Sequence, residues 1–415
     1  MILTNGRSRR KSAEFDSIIA GYESLSKIPI RREWTSGPLK VRKYTGEFWT
    51  SRQRQASSLH EISYRACFKP QLPGFFISLL TNTGDTVYDP FGGRGTTAIE
   101  AGILNRNPIS NDVNPLSRIL TEPRFSPPCS EEVSRRLASI SREGGKADLD
   151  LSMFYHPDTE SEIVALREYL LGKRNDGTDD FIDRWIGMVG TNRLTGHSTG
   201  FFSVYTLPPN QAVSQKSQAR INRKRSQVPE YRDTHRLIER KTRSLIARLT
   251  PGDADNLRST GVKVRFLNRD ARATPEICPS SVQLTVTSPP FLDVVQYRED
   301  NWLRCWFCGL DEKKIGQTIT MSRTVLEWES VMSDVFRELF RITAPGGYVA
   351  FEVGEVRKKT VCLDEQIVPL GVKAGFSCEG VLINLQSFSK TSNIWGIGNN
   401  QSGTNTNRIA VFRKP

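Results

Sequence analysis

The chain is poor in the residues that build metal centres and disulfide frameworks: it has seven cysteines and four histidines in 415 residues. An odd, scattered set of cysteines is no disulfide scaffold and fits a reducing compartment. His60, His156, His197 and His235 show no metal-ligand spacing, and the pair in Cys305-Trp306-Phe307-Cys308 has no second pair at zinc distance, so no metal is expected. The apolar surroundings of that pair, WLRCWFCGL, suit a packing helix. No run of 18 apolar residues is present, which excludes a membrane helix by sequence. The opening MILTNGRSRRKSAEF lacks the apolar core of a secretory signal, so a cytoplasmic protein is expected.

What the chain has in surplus is positive charge. Lys and Arg number 58 against 45 Asp and Glu, a net charge of +13. A surplus of this size points to a polyanionic partner, with nucleic acid as the leading candidate. At 37% hydrophobic and 25% charged, the composition is that of a globular protein, long enough to bury a large core.

Residues 1–48 are polar and basic and are expected to form an N-terminal extension. Residues 49–120 carry a strand–turn–helix pattern. Thr86-Val87-Tyr88 is a β-type run, Asp89-Pro90-Phe91-Gly92-Gly93-Arg94-Gly95 a glycine-rich turn, and Thr96 onward a helix. Pro108–Asp112 is a second strand ending in a carboxylate. Residues 121–260 differ in texture: Pro- and charge-rich to 160, helical over 160–188, then strongly basic. The α/β rhythm returns over 261–415, with strands at 262–267, 282–286 and 348–353. A helix at 324–341 repeats Trp328, Val331, Met332, Val335, Phe336, Leu339 and Phe340 at helical spacing, with Pro345-Gly346-Gly347 as its stop. Two late β-rich stretches, 378–385 and 408–413, are expected to pair antiparallel. The pattern predicts one α/β domain interrupted by an insertion at 121–260.

A glycine-rich turn between strand and helix allows a sharp bend and the close approach of a ligand. No Gly-Lys-Ser/Thr follows, so it is not a phosphate-binding P-loop. The third glycine of the dinucleotide fingerprint is also missing, which disfavours a nicotinamide oxidoreductase. Asp89, Asp112 and Asp270 each follow a strand, so a parallel sheet would gather all three at one crevice, suited to a ligand with an amine, a ribose and an adenine. Val286-Thr287-Ser288-Pro289-Pro290-Phe291 supplies a stiff loop end rich in acceptors. The Ser288 hydroxyl and the Pro289 carbonyl could hold both hydrogens of an exocyclic amine, with Phe291 against a base face. No cysteine sits in a context for covalent attack on a pyrimidine ring.

These residues resemble the S-adenosylmethionine-dependent amino-methyltransferases of DNA. Asp89 to Thr97 is similar to their cofactor loop, Ser288 to Phe291 to their catalytic loop, and Phe68-Lys69-Pro70-Gln71-Leu72-Pro73 to the segment that packs on the cofactor's methionine end. The Ser-led catalytic loop resembles the cytosine-N4 branch, although the cofactor loop here precedes the catalytic loop by about 200 residues, the reverse of many cytosine-N4 enzymes.

The resemblance implies a Rossmann-like class I methyltransferase fold, a mostly parallel seven-stranded sheet with helices on both faces and a terminal antiparallel hairpin. It implies S-adenosylmethionine as cofactor, bound by Lys69, Pro70, Asp89, Pro90, Phe91, Gly92, Gly93, Gly95, Thr96, Thr97, Asp112 and Asp270. Within that set Asp89 and the backbone after it take the methionine part, Asp112 the ribose and Asp270 the adenine amine. Ser288, Pro289, Pro290 and Phe291 would act on a base taken out of duplex DNA. Adenine N6, an RNA amine, and an inactive nucleic-acid-binding protein of the same fold are the alternatives. The family setting implies a prokaryotic modification enzyme, with a separate cognate restriction endonuclease as a possible partner.

The insertion is the expected DNA reader. Residues 215–248 carry 11 Lys/Arg against 3 Asp/Glu, and Arg220, Arg223, Lys224 and Arg225 are the expected phosphate contacts. Asn210 and Gln211, beyond the Gly/Ser/Thr/aromatic stretch 191–203, could read an adenine edge.

Overall fold

The computed structural model describes residues 15, 17, 30–36, 39–49, 56–64, 67–206, 212–290, 297–319, 322, 324–356, 361–386 and 405–415. Phe291, Asn210 and Gln211 lie outside the described residues.

Eleven strands are present among them: β1 (Ile30–Ser36), β2 (Leu39–Gly46), β3 (Thr86–Asp89), β4 (Asn107–Asn111), β5 (Arg265–Leu267), β6 (Val282–Thr287), β7 (Thr343–Val353), β8 (Glu355–Val356), β9 (Val361–Cys362), β10 (Ser377–Gln386) and β11 (Asn405–Arg413). All but the short β8–β9 pair join one sheet in the order β1-β2-β10-β11-β7-β6-β3-β4-β5. From β5 to β7 the neighbours are parallel. β11 runs antiparallel to both β7 and β10, so the late hairpin pairs as expected.

The sheet has nine strands, not seven. Residues 30–46, expected in a leading extension, form a hairpin whose β2 adds in parallel to β10. In β2 Val41 and Tyr44 are buried on opposite faces of the sheet, one in each core. Pro345-Gly346-Gly347 does not separate helix from strand. Helix Val325–Ile342 ends directly on Thr343, and the Pro-Gly-Gly segment bulges out of β7 opposite Gln283.

Both faces of the sheet are covered, as a parallel sheet requires. Helix Val325–Ile342 opens with the Thr324 hydroxyl accepting the Glu327 N–H at 3.1 Å. It buries Trp328, Met332, Val335, Phe336 and Leu339 on one face. Helix Gln71–Leu80 packs Leu72, Phe75 and Phe76 on the other face, with Phe48 and Trp49. Helix Thr96–Ile103 joins β3 to β4.

The chain between β4 and β5 is a helical body whose core is continuous with Leu59, Ile62, Ala98 and Ile99 of the preceding segment. The stretch read as one helix over 160–188 is two, Pro157–Asn175 and Phe181–Arg193, because Gly177 takes φ +65° and Asp180 caps the second with a capping box. The basic stretch divides likewise into Gln215–Arg225 and Thr234–Ile246. Trp185, Ile186, Met188 and Val189 fill the centre with Leu237 and Leu245. Helix Tyr297–Cys308, which follows β6, sends Leu303, Phe307 and Cys308 into this same core. Cys305 and Cys308 are both buried there, Cys308 within 3.2 Å of Thr191 Oγ1. Among the described residues no helix is long and apolar enough to cross a membrane.

Candidate active site

The carboxyl ends of β3, β4, β5 and β6 open on one cleft. It is lined by Pro90, Phe91 and Gly93, by Asp112, Val113 and Asn114, by Arg269, Asp270 and Ala271, and by Ser288 and Pro290. The chain order of the strands makes this the crevice at which open α/β sheets bind ligands.

The glycine-rich turn is built as the sequence requires. The Gly95 N–H donates to the Gly92 carbonyl at 2.7 Å, and the Gly92 N–H to the Asn111 carbonyl at 2.8 Å. Gly95 takes φ +74°, and a Cβ there would lie 2.2 Å from Thr121 Oγ1. A Cβ on Gly92 would lie 2.4 Å from Ser110 Oγ. Asp112 Oδ2 accepts the Gly93 N–H at 2.8 Å and its Oδ1 the Asn114 N–H at 2.9 Å. These bonds leave acceptor capacity on both oxygens. Burial pushes the Asp112 carboxyl above its ordinary range. Asp270 stands at the cleft in an ion pair with Arg272 at 2.6 Å, and that guanidinium holds its carboxyl below the ordinary range. Asn111 joins the two walls: its Nδ2 donates to Pro90 O and Arg269 O, at 3.1 and 3.0 Å.

Asp89 is buried at the end of β3. Its Oδ1 accepts the Thr287 hydroxyl at 2.6 Å and the Phe91 N–H at 3.1 Å. Burial pushes its carboxyl up to about 6, against the pull of those hydrogen bonds and Thr97. Thr97, on the first turn of its helix beside Thr96, also donates to the Val286 carbonyl at 3.1 Å. Lys69 and Pro70 open helix Gln71–Leu80, and Pro70 lines a separate cleft with Trp49, Phe75 and Glu100. The upstream segment reaches the main cleft through Tyr64 instead, close against Gly93. Arg94, inside the glycine turn, is buried and donates to the carbonyls of His60 and Ile62, so it ties that segment down.

Ser288, Pro289 and Pro290 leave the end of β6. The Pro290 carbonyl accepts the Trp328 indole N–H at 3.1 Å. Behind Ser288 stands Glu352 of β7, a buried carboxylate hydrogen-bonded by Ser288 and by Asn407 Nδ2, with its pKa raised by burial. Trp328, Val331, Met332 and Val335 complete the apolar wall beside Ala271. Tyr64, Trp328 and Glu352 were not singled out in the sequence as site residues. Arg220, Arg223, Lys224 and Arg225 all stand exposed on helix Gln215–Arg225, with the Arg225 guanidinium 3.8 Å from the Tyr205 ring centroid.

The strand order and the cleft at its carboxyl edge define a Rossmann-like methyltransferase architecture. Residues 3–119 match the family of N6 and N4 amino-methyltransferases described as DNA methylase. The chain is 25% identical over 333 residues to the type II methyltransferase M.BsoBI of Geobacillus stearothermophilus, covering 70% of this chain and 60% of that one. It is 33% identical over 73 residues to the type II methyltransferase M.MjaII of Methanocaldococcus jannaschii, covering 17% and 14%. The chain thus spans less than two thirds of either relative's length. A TehB-like SAM-dependent methyltransferase of Corynebacterium glutamicum aligns over 83% of this chain and 87% of its own, at 8% identity and a TM-score of 0.31.

Proposed function

We propose that the protein transfers a methyl group from S-adenosylmethionine to the exocyclic N4 amine of cytosine in duplex DNA. The observation that carries this reading is the Ser288-Pro289-Pro290 acceptor loop, backed by Glu352, opening on the cleft that holds Asp112. The residues present suit the cofactor. Asp112 has a carboxylate free to accept both ribose hydroxyls, Asp270 can accept from an adenine amine, and the wall of Phe91, Ala271, Trp328, Val331 and Met332 suits a flat apolar ring.

When bound, the cofactor supplies an electrophilic methyl group on a sulfonium sulfur. The Ser288 hydroxyl donates to Glu352, which leaves its lone pairs to accept one amine hydrogen. The Pro289 carbonyl accepts the other. Two acceptors placed this way draw the nitrogen lone pair out of conjugation and aim it. The Trp328 N–H on Pro290 holds the loop end in place. The proton that the alkylated nitrogen sheds has Ser288 and, behind it, the Glu352 carboxylate as its first acceptors. The base reaches this site by extrusion from the duplex.

In this reading the exposed Arg220, Arg223, Lys224 and Arg225 contact the DNA backbone. A cytoplasmic setting beside a separate restriction endonuclease belongs to the same reading. Labelled S-adenosylmethionine with mixed-sequence duplex DNA, and separately with RNA, followed by nucleoside mass analysis, tests it. N4-methyldeoxycytidine supports it, N6-methyldeoxyadenosine moves the target base, and label confined to RNA rejects the substrate.

A further inference from the structure

From Leu59 to Tyr64 the backbone makes no helix or strand beyond the single turn Ser58–His60, yet buried side chains from distant elements hold most of its carbonyls. Arg124 Nη1 donates to the Leu59 carbonyl at 3.2 Å. Arg94 Nη1 donates to the carbonyls of His60 and Ile62, at 3.1 and 2.8 Å. The Ser63 carbonyl accepts Asn192 Nδ2 at 3.0 Å and Arg304 Nη2 at 3.1 Å. All four donor residues are buried, and they come from the glycine turn, the turn Glu122–Phe125, helix Phe181–Arg193 and helix Tyr297–Cys308. Burial brings Arg124 down to about 9 and lowers Arg304 as well, so the interior holds these charges against a desolvation penalty. Three buried cations committed to one irregular segment suit a wall whose shape must not change.

Tyr64 is the residue that this wall delivers. Among the described residues of 57–68 it alone lines the catalytic cleft. Its ring stands against the glycine turn: a Cβ on Gly93 would lie 3.6 Å from Tyr64 Cε1, and the Gly93 N–H donates to Asp112 Oδ2 at 2.8 Å. The segment also reaches toward the acceptor loop. Cys67 Sγ donates to the Tyr64 carbonyl at 3.3 Å, and that thiol, raised by burial and pulled down by Arg94 and Arg124, also feels Glu352, the partner of Ser288. Tyr64 therefore lines the stretch of cleft that runs from Asp112 to Ser288. The sulfonium sulfur of the cofactor joins the ribose side to the methyl group. With Asp112 at the ribose and Ser288 beside the methyl acceptor, the sulfur falls in that same stretch.

We propose that the Tyr64 ring contacts the sulfonium and makes the site prefer S-adenosylmethionine to its demethylated product, S-adenosylhomocysteine. The two ligands share adenine, ribose and amino-acid end, and differ by one methyl group and one positive charge. An aromatic face attracts a cation through its quadrupole and gains nothing of the kind from a neutral thioether. The Arg304 guanidinium, 5.9 Å from the Tyr64 centroid, is at the outer limit of the same attraction and is engaged by the Ser63 carbonyl and Asn301 Oδ1. The preference lets spent product leave the cleft. The inference rests on this cleft being the cofactor site, and is independent of which base or polymer is methylated.

The test uses the full chain as wild type, Tyr64→Phe, Tyr64→Leu and Tyr64→pentafluorophenylalanine, the last of which keeps the ring's shape and removes its negative face. Calorimetry measures S-adenosylmethionine and S-adenosylhomocysteine binding to each, with the thermal midpoint as the control for folding. Tyr64→Phe should retain the wild-type ratio of the two affinities. Tyr64→Leu and the fluorinated form should lower S-adenosylmethionine affinity by about 3- to 30-fold and leave S-adenosylhomocysteine affinity within about two-fold. Where Tyr64→Leu fails to fold, the fluorinated form decides. Equal weakening of both ligands, or no change in either, overturns the contact and leaves the cofactor site standing. A wild-type chain that binds neither ligand overturns the cofactor site and the inference with it.

Discussion

The Thr287 hydroxyl donates to Asp89 Oδ1 at 2.6 Å, joining the last residue of β6 to the last residue of β3. The catalytic loop begins one residue after the donor, and the glycine turn one residue after the acceptor. The bond fixes the offset between the two loops, so on the proposed function it would set the distance from cofactor to target base from inside the sheet.

Asp89 makes stability depend on pH in an unusual direction for a carboxylate. Its folded value is about 6 against 3.8 for the free group, so between those values only the folded state holds the proton. Its contribution to stability is therefore greatest below about pH 4 and falls as pH rises through 6. The difference is worth about 3 kcal/mol at most. Asp89→Asn keeps an acceptor for Thr287 and Phe91 and should remove this dependence. Denaturant melts of both proteins at pH 5 and pH 8 check it: the variant gains on the wild type as pH rises, and parallel behaviour would contradict the assignment.

Asp112→Ala removes the cleft carboxylate and the acceptor of the Gly93 N–H. A hydrogen bond to a charged acceptor is worth about 1.5–3 kcal/mol, so S-adenosylmethionine affinity should drop by about 10- to 100-fold. Isothermal calorimetry reads it directly. Unchanged affinity would remove Asp112 from the cofactor site.

Ser288→Ala should leave cofactor affinity unchanged and lower kcat by about 100-fold, the usual cost of one positioned electrostatic partner. Glu352→Gln keeps the shape behind Ser288 but removes the titratable carboxyl, whose pKa burial raises. Its expected signature is a changed pH dependence of kcat with little change in KM for the cofactor. Single-turnover rates across pH separate that from a purely structural defect.

Trp328→Phe keeps most of the apolar wall and deletes the N–H that Pro290 accepts. The expected cost is about 1 kcal/mol, seen as a several-fold fall in kcat with the thermal midpoint nearly held. A wild-type rate would show that the Pro290 carbonyl needs no anchor.

Gly95→Ala combines a left-handed backbone with a Cβ driven into Thr121. Together these should cost about 2–5 kcal/mol of stability. Adding Thr121→Ala removes the clash and leaves the backbone strain, so it should restore only part of the loss in a denaturation midpoint.

Some of this site was legible because local chemistry and position coincide. A short β-type run, a carboxylate and a glycine turn announced β3 and its helix, and Asp112 and Ser288 follow their strands directly. The partner of Asp89 in Thr287 was not legible, because it lies 198 residues away and only the β3–β6 pairing brings the two together. Glu352 was hidden inside the apolar run of β7. Only the pairing of β7 with β6 on one side and β11 on the other brings it to Ser288 and Asn407. Trp328 read as core, and it is core, but its indole edge also reaches the Pro290 carbonyl. The β1–β2 hairpin escaped because β2 buries only Val41 and Tyr44, one on each face, and its basic character suggested a free arm.

Helix Tyr297–Cys308 takes its sequence from beyond the catalytic loop and its packing from the helical body between β4 and β5. Exchange of that body between relatives therefore breaks packing with helix Tyr297–Cys308 as well as with the segment before β4. A graft cut only at the ends of residues 121–260 would strand Leu303, Phe307 and Cys308 against a foreign surface, and the loop that presents Ser288 would inherit the misfit. If that body reads the target sequence, a new specificity moves onto this scaffold only together with helix Tyr297–Cys308.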